Sequence, residues 1–256
     1  MDDFARAAAF SVWLEDALAG TLATWTGGTV VLDPAAPDVW DSNHLRLERR
    51  WDEAPERFPA AVEDAARACG LRTPVVAIAD PAQVTQLRDA LRAAGYVREG
   101  FVFMASRTHP GPPEDVVAEL DYAGVRPHRR PHMALAWKSD EPPPAPELVD
   151  QQLVADAAVG AVLDDRWFAV RDGDALVAMC RLMSHDAVGQ VEDVSTLPAF
   201  RNRGYARAVV SAAVTASRDA GHALTFIIAD EDDWPRRLYA KLGFAPVGTT
   251  SRFRKT

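Results

Sequence analysis

Two stretches in opposite halves of this 256-residue chain repeat one order of features. Ile78-Ala79-Asp80, a predicted helix from Pro81 and the corner Gly95-Tyr96 lead into a strand; Ile228-Ala229-Asp230, a predicted helix from Pro235 and the corner Gly243-Phe244 lead into another. Matched ends of this kind predict two α/β halves related by duplication. The other reading is that any two helix-to-strand corners take a glycine and an aromatic residue. Either way, halves of roughly 100 to 130 residues are each long enough to bury a core.

Hydrophobic periodicity fills in the elements. Phe4 to Leu22 is alanine-rich, with Phe10, Trp13, Leu14, Ala17 and Leu18 at helical spacing up to Gly20, and predicts an amphipathic helix. Short strands are predicted at Thr29–Leu32, His44–Leu47 and Pro74–Ala79, a helix over Ala54–Ala68, and a strand over Val97–Ala105. Between Thr108 and Pro131 the periodicity fades and prolines accumulate, which places a boundary there: a first domain at 1–108, a linker at 109–124 and a second domain at 125–256. Just beyond that linker, beside prolines, His128, Arg129, Arg130 and His132 read as a solvated basic cluster. The second half predicts strands at Met133–Trp137, Arg166–Arg171, Ala175–Met183, Gln190–Leu197, Leu224–Ala229 and Val247–Phe253, with helices at Glu147–Val162, Gly204–Ala220 and Pro235–Leu242. Alternating strands and helices imply a mixed sheet with helices on both faces.

The formal net charge of −9 argues against nucleic acid or an anionic membrane surface as partner. The acidic start Met1-Asp2-Asp3 and the lack of a long apolar run predict a soluble, cytoplasmic protein, monomeric or a homodimer. Cys69 and Cys180 predict buried free thiols, and no metal is implied. An anionic ligand needs a local exception to the acidic balance. From Val194 through Arg218 there is no acidic residue, while Arg201, Arg203, Arg207 and Arg218 all fall in that stretch.

Arg201-Asn202-Arg203-Gly204-Tyr205-Ala206 follows a predicted strand and opens a predicted helix. The first turn of a helix presents N–H groups without intrahelical partners, and its dipole favours negative charge. Gly204 admits a phosphate oxygen to the main chain, and the arginines add charged donors. A diphosphate cradle and a solvated loop opening a helix are both consistent with these letters. A second copy of the same pattern, Arg218 to Ala223, lies at a helix C-terminus, where carbonyls repel phosphate.

The run from Val194 to Ala206 resembles the acyl-CoA signature of the GNAT acetyltransferase superfamily: strand, proline, then Q/R-x-x-G-x-G/A at a helix start. Asp232 to Phe244, with Leu238-Tyr239 and Leu242-Gly243-Phe244, resembles that family's second motif. The resemblance implies an N-acetyltransferase with tandem GNAT-like domains, the N-terminal one degenerate and the C-terminal one complete, using acetyl-CoA as cosubstrate and a small-molecule or peptide amine as acceptor. It implies that main-chain groups of Val194 and Thr196 pair with the pantetheine arm, that Arg203, Gly204, Tyr205 and Ala206 hold the pyrophosphate with Arg201 beside them, and that Tyr239 protonates the departing thiolate. Where the family often has asparagine, this chain has Asp232, which offers no amide donor. For the base, strand alternation puts Glu192, with Gln190, on the face of Val194, so that Glu192 accepts the amine proton or is a surface carboxylate. The reading from another class is a non-catalytic acyl-CoA sensor.

Overall fold

The computed structural model describes residues 1–108, 115–136, 145–232 and 234–256. The first half runs α1 (Asp3–Leu18), β1 (Thr21–Trp25), β2 (Gly28–Leu32), β3 (His44–Leu47), α2 (Phe58–Ala68), β4 (Val75–Ile78), α3 (Pro81–Ala93) and β5 (Tyr96–Ser106). The second opens with β6 (Val117–Leu120), two short helices, α4 (Tyr122–Val125) and α5 (Arg129–Met133), and then α6 (Pro146–Val159). It continues with β7 (Asp164–Asp172), β8 (Ala175–His185), β9 (Val188–Thr196), α7 (Tyr205–Asp219), β10 (Leu224–Asp230), α8 (Pro235–Lys241) and β11 (Phe244–Lys255).

Local chemistry sets the helix ends. Asp2 caps α1 by accepting from Ala5 N–H at 2.8 Å, and Asp80 caps α3 by accepting from Ala82 N–H at 2.8 Å, with Pro81 supplying a preset first turn. Gly95 and Gly243 stop α3 and α8 at φ of 83° and 87°, a region where a Cβ is penalised. Asp230, like Asp80, accepts from the N–H two residues on.

All the strands join one sheet, in the order β1-β2-β3-β4-β11-β5-β10-β9-β8-β7-β6. Each half's last strand pairs antiparallel with the other half's penultimate one, β5 with β10 and β11 with β4, and β5 and β11 pair with each other at the centre. Outward from that pair the two directions match: an antiparallel neighbour, then a parallel pair, then antiparallel strands. The helices match as well, with α1, α2 and α3 in the places of α6, α7 and α8. The mixed α/β architecture with helices on both faces is as expected. The joining of the halves through exchanged strands depends on pairing between distant segments.

Alternation along β5 separates the layers. Val102 and Met104 join the core beneath α7 and α8, whereas Phe103 and Ala105 join the core beneath α1. There Phe4 meets Phe103 edge-on at 5.4 Å and Phe10 meets Phe226 at 5.6 Å. The N-terminal helix thus packs over the second half's strands. A Cβ at Gly248 would stand 2.2 Å from the Phe4 ring, so glycine permits this approach.

Several expectations are corrected. The opening helix stops at Leu18, and Thr21–Trp25 forms β1, joined to β2 through the two-residue turn Thr26-Gly27. Of the predicted linker, 109–114 lie outside the described residues, while Val117–Leu120 form an edge strand paired with β7. The strand predicted at Met133–Trp137 is helical through Ala136, Trp137 being outside the described residues, because Arg129 and His132, three apart, both insert toward the sheet. Neither of them is solvated. Cys180 is buried as expected, but Cys69 is only partly buried.

Candidate functional site

The parallel pair β9 and β10 comes apart. Their pairing ends at Val191 and Ile227, although β9 continues to Thr196 and β10 to Asp230. On the other side of β9 a bulge interrupts the ladder: Arg181 faces Glu192 and Met179 faces Ser195, leaving Asp193 and Val194 together opposite Cys180. Asp193 takes a φ of 56°, a conformation an L-residue holds only where its surroundings demand it. The bulge overturns the alternation expected between Glu192 and Val194. Glu192 lines a cavity on the α1 face, whereas the Val194 side chain packs against the core beneath α7. The splay leaves the Val194 main chain without a β10 partner among the described residues.

Buried charges hold the bulge. Asp193 pairs with Arg129 at 3.1 Å and with Arg181 at 3.5 Å; Arg129 also binds Asp156 at 2.7 Å, and Arg181 binds Asp165 at 2.7 Å. The two guanidiniums flank Trp167, each 4.7 Å from its ring centre. Burial would raise the Asp193 carboxyl, but the two arginines outweigh it and hold the group below the usual carboxylate range. Asp156 is raised, first by burial and then by the negative charge of Asp193. Next along β9, Ser195 Oγ lies 2.7 Å from His132 Nδ1. The other ring nitrogen lies 2.9 Å from the Leu176 carbonyl, so Nε2 carries the proton and Nδ1 accepts from the serine. Burial lowers the pKa of this imidazole.

Beyond Thr196 the chain turns through Pro198–Phe200, and Asn202 and Gly204 take φ of 62° and 85° before α7 begins. No side chain caps α7, so the N–H groups of its first turn remain open for an anion. A Cβ built on Gly204 meets nothing within 4 Å, so the space over the turn is clear. Arg201 Nε donates to the Thr196 carbonyl at 3.3 Å and lines the cavity. Arg203 donates to the Ala199 carbonyl at 3.3 Å and lies over the Phe200 ring, so it braces the turn from its side. Tyr205 and Ala206 begin the helix half-buried. Thr196 Oγ1 is buried without a hydrogen-bond partner beside this turn. An orphaned hydroxyl, an uncapped helix start and a clear glycine suit an extended ligand bearing a diphosphate.

The sequence comparison decides the family. The model of the Acetyltransferase (GNAT) family matches residues 117–244. The chain belongs to the GNAT acetyltransferases. No curated protein matches the sequence. Among solved structures, a GCN5-related N-acetyltransferase from Kribbella flavida is 18% identical, with 97% of this chain and 95% of that one covered at a TM-score of 0.60. A conserved protein of unknown function from Staphylococcus epidermidis is 11% identical, with 92% and 94% covered at 0.64. At these identities the likeness is one of fold, and it extends over both halves.

In this GNAT chain the cavity of about 1310 Å³ lies on the face of the sheet opposite α7. Glu192, Asp193, Arg201 and Asp232 line its second-half end; Ser11, Leu14, Glu15 and His44 line the other. Gln190 Nε2 donates to Glu192 Oε2 at 2.6 Å. Burial and the neighbouring Asp193 nevertheless push the Glu192 carboxyl up to about 7. Asp232 N–H donates to Asp230 Oδ1 at 3.0 Å, which fixes the turn ahead of α8. Tyr239 is 6% exposed on α8, its ring 6.2 Å from that of Phe244, and it packs on the α7 side of the sheet outside the cavity wall. The structure thus gathers Glu192, the Val194 main chain, Thr196 and the Arg201–Ala206 turn along one strand and its exit, with Tyr239 behind them. Sequence reasoning missed Asp193, Arg129 and His132, although the basic run at 128–132 was the available signal. No described helix is long and apolar enough to cross a membrane.

Proposed function

We propose that this chain transfers the acetyl group of acetyl-CoA to a primary amine of a small-molecule or peptide acceptor. One observation carries the reading: a splayed, bulged β9 links an uncapped, acid-free helix start to a carboxyl on the cavity wall whose pKa is raised to about 7. Acetyl-CoA would supply a thioester carbonyl at the splay, its diphosphate held by the N–H groups from Arg203 to Ala206 with Arg201 beside them, and its pantetheine arm by Val194 and Thr196. Glu192, in its ionised form, takes the proton of the acceptor ammonium directly or through one water, so that the nitrogen has a free lone pair. That nitrogen bonds to the carbonyl carbon, gives up its second proton to water as the adduct collapses, and the carbon–sulfur bond breaks with the electron pair leaving on sulfur. The Val194 N–H donates to the carbonyl oxygen as charge develops there. The Tyr239 hydroxyl gives a proton to the sulfur and regains one from water. We assign the second half, from β6 onward, as the catalytic unit and 1–108 as a copy that has lost its cofactor site. Screening an amine library for acceptor-dependent release of coenzyme thiol tests the proposal; no release with any amine, despite acetyl-CoA binding, would favour a sensor.

A further inference from the structure

The cavity does not end at Glu192. It crosses the central strands, where Phe101, Phe103 and Ile228 give it an apolar stretch, and reaches α1 and β3 of the first half. Seven carboxylates line it against three arginines. Of those arginines, Arg181 is bound to Asp165, Asp156 and Asp193, and Arg252 to Asp41. At the first-half end, Glu15 lies 3.0 Å from Arg46, but that one guanidinium also serves Asp16 at 2.7 Å and Glu48 at 3.2 Å, so three carboxylates share one positive charge. Burial alone would raise Glu15, yet His44 and Arg46 keep it below the usual range, so it stays ionised at neutral pH.

His44 supplies an independent observation. Its side chain is 2% exposed, it stands on the cavity wall, and neither ring nitrogen has a hydrogen-bond partner. Its Nε2 lies 3.4 Å from Glu15 Oε2 without forming a hydrogen bond. Buried ring nitrogens without hydrogen bonds leave capacity that a ligand reaching this end can satisfy. Carboxylates at both ends of a cavity with an apolar middle fit a molecule with two separated cationic groups, and a low-dielectric cleft of one sign concentrates such a ligand.

We infer that the first half recognises the acceptor: Glu15, Asp41 and His44 hold a second cationic group of a diamine-class substrate whose first amine reaches Glu192. This rests on the transfer reading above for its chemistry but not for its binding. The direct test is calorimetric titration of the full-length protein, with and without saturating coenzyme A, using 1,6-diaminohexane, hexylamine and 6-aminohexanoate. The diamine should bind about 10-fold or more tightly than hexylamine, and 6-aminohexanoate no better than hexylamine. The double variant Glu15→Gln, Asp41→Asn should bring the diamine to within about threefold of hexylamine while coenzyme A affinity stays constant. Because Glu15 also pairs with Arg46, Ser11→Lys, which adds a cation to the same wall without breaking an ion pair, should have the same effect. Equal binding of the three ligands, tightest binding of 6-aminohexanoate, or a diamine preference that survives both variants would overturn the inference. Loss of coenzyme A binding with the diamine preference intact would overturn the transfer reading and leave this one standing.

Discussion

The two halves place matching elements around the centre of the sheet and treat the matching turn in opposite ways. In the first half, β3 stays paired with β4 through Leu47 and Ile78, the last residue of each strand. In the second, β9 leaves β10 after Val191 and runs five residues further. The first-half helix α2 starts behind a turn at Pro55–Arg57, with Phe58 fully buried and the Trp51 ring 5.1 Å away, and no glycine stands between β3 and α2. The second-half helix α7 starts on Gly204 with open space above it. A βα unit thus becomes a candidate anion site when its parallel strands part and its helix start is left clear. Where both are closed by packing, no such opening forms, and in this first half it is α1 that lines the cavity.

The largest effect should come from closing the open turn. Gly204→Glu should weaken acetyl-CoA binding by about 100-fold or more, because a side chain and a negative charge enter the space over the α7 N-terminus. Gly221→Glu is its control. Gly221 also has a positive φ, of 77°, and open space for a Cβ, so both variants carry a similar backbone cost of about 1–2 kcal/mol. Thermal shift with and without acetyl-CoA should show both melting temperatures lowered and only the Gly204 variant unresponsive to ligand. Equal loss of response in both would break the distinction between the two turns.

Glu192→Gln should lower kcat by about 10²- to 10⁴-fold. In the unaltered protein kcat/KM should rise with pH through about 7, where this carboxyl ionises, and the variant should lose that limb. Stability has its own sign. The folded-state pKa of about 7 lies above the ordinary value of 4.5 for an exposed glutamate, so between those values the folded chain binds more protons and stability falls as pH rises. The variant should therefore melt higher than the parent at pH 8 and no higher at pH 4. A pH profile identical in both proteins would remove Glu192 from the proton path.

Tyr239→Phe should reduce kcat by about 100-fold with acetyl-CoA affinity unchanged, since the ring that packs on Phe244 is kept. Leu91 occupies the corresponding place on α3, fully buried. Leu91→Ala should cost about 2–5 kcal/mol of stability while leaving kcat unchanged well below the melting temperature. Denaturant melts and steady-state kinetics on both variants sharpen the comparison; unchanged turnover in Tyr239→Phe would leave solvent or substrate to supply the proton.

What the sequence disclosed was local. The turn from Arg201 to Ala206 that opens α7 was legible because a glycine, two arginines and a strand-to-helix junction act within a few residues. The corners at Gly95 and Gly243 were legible for the same reason, and both take the expected positive φ. The bulge at Asp193 was not, because it is held by Arg129 from a distant helix and by Arg181 from the neighbouring strand, and strand alternation therefore misplaced Val194. Likewise Arg129 and His132 read as solvated cations until tertiary partners, Asp156 and Ser195 among them, drew them inside. The exchange of β5 and β11 and the reach of α1 across the second half leave no trace in a short window, since each depends on contacts between opposite ends of the chain.

The central claim is that the matched halves provide one cofactor site, at the Gly204 turn. Calorimetric titration of the full-length protein with acetyl-CoA tests it most directly. The account predicts one equivalent bound per chain, with a dissociation constant on the order of micromolar. Two equivalents per chain, or no measurable binding at millimolar ligand, would contradict it.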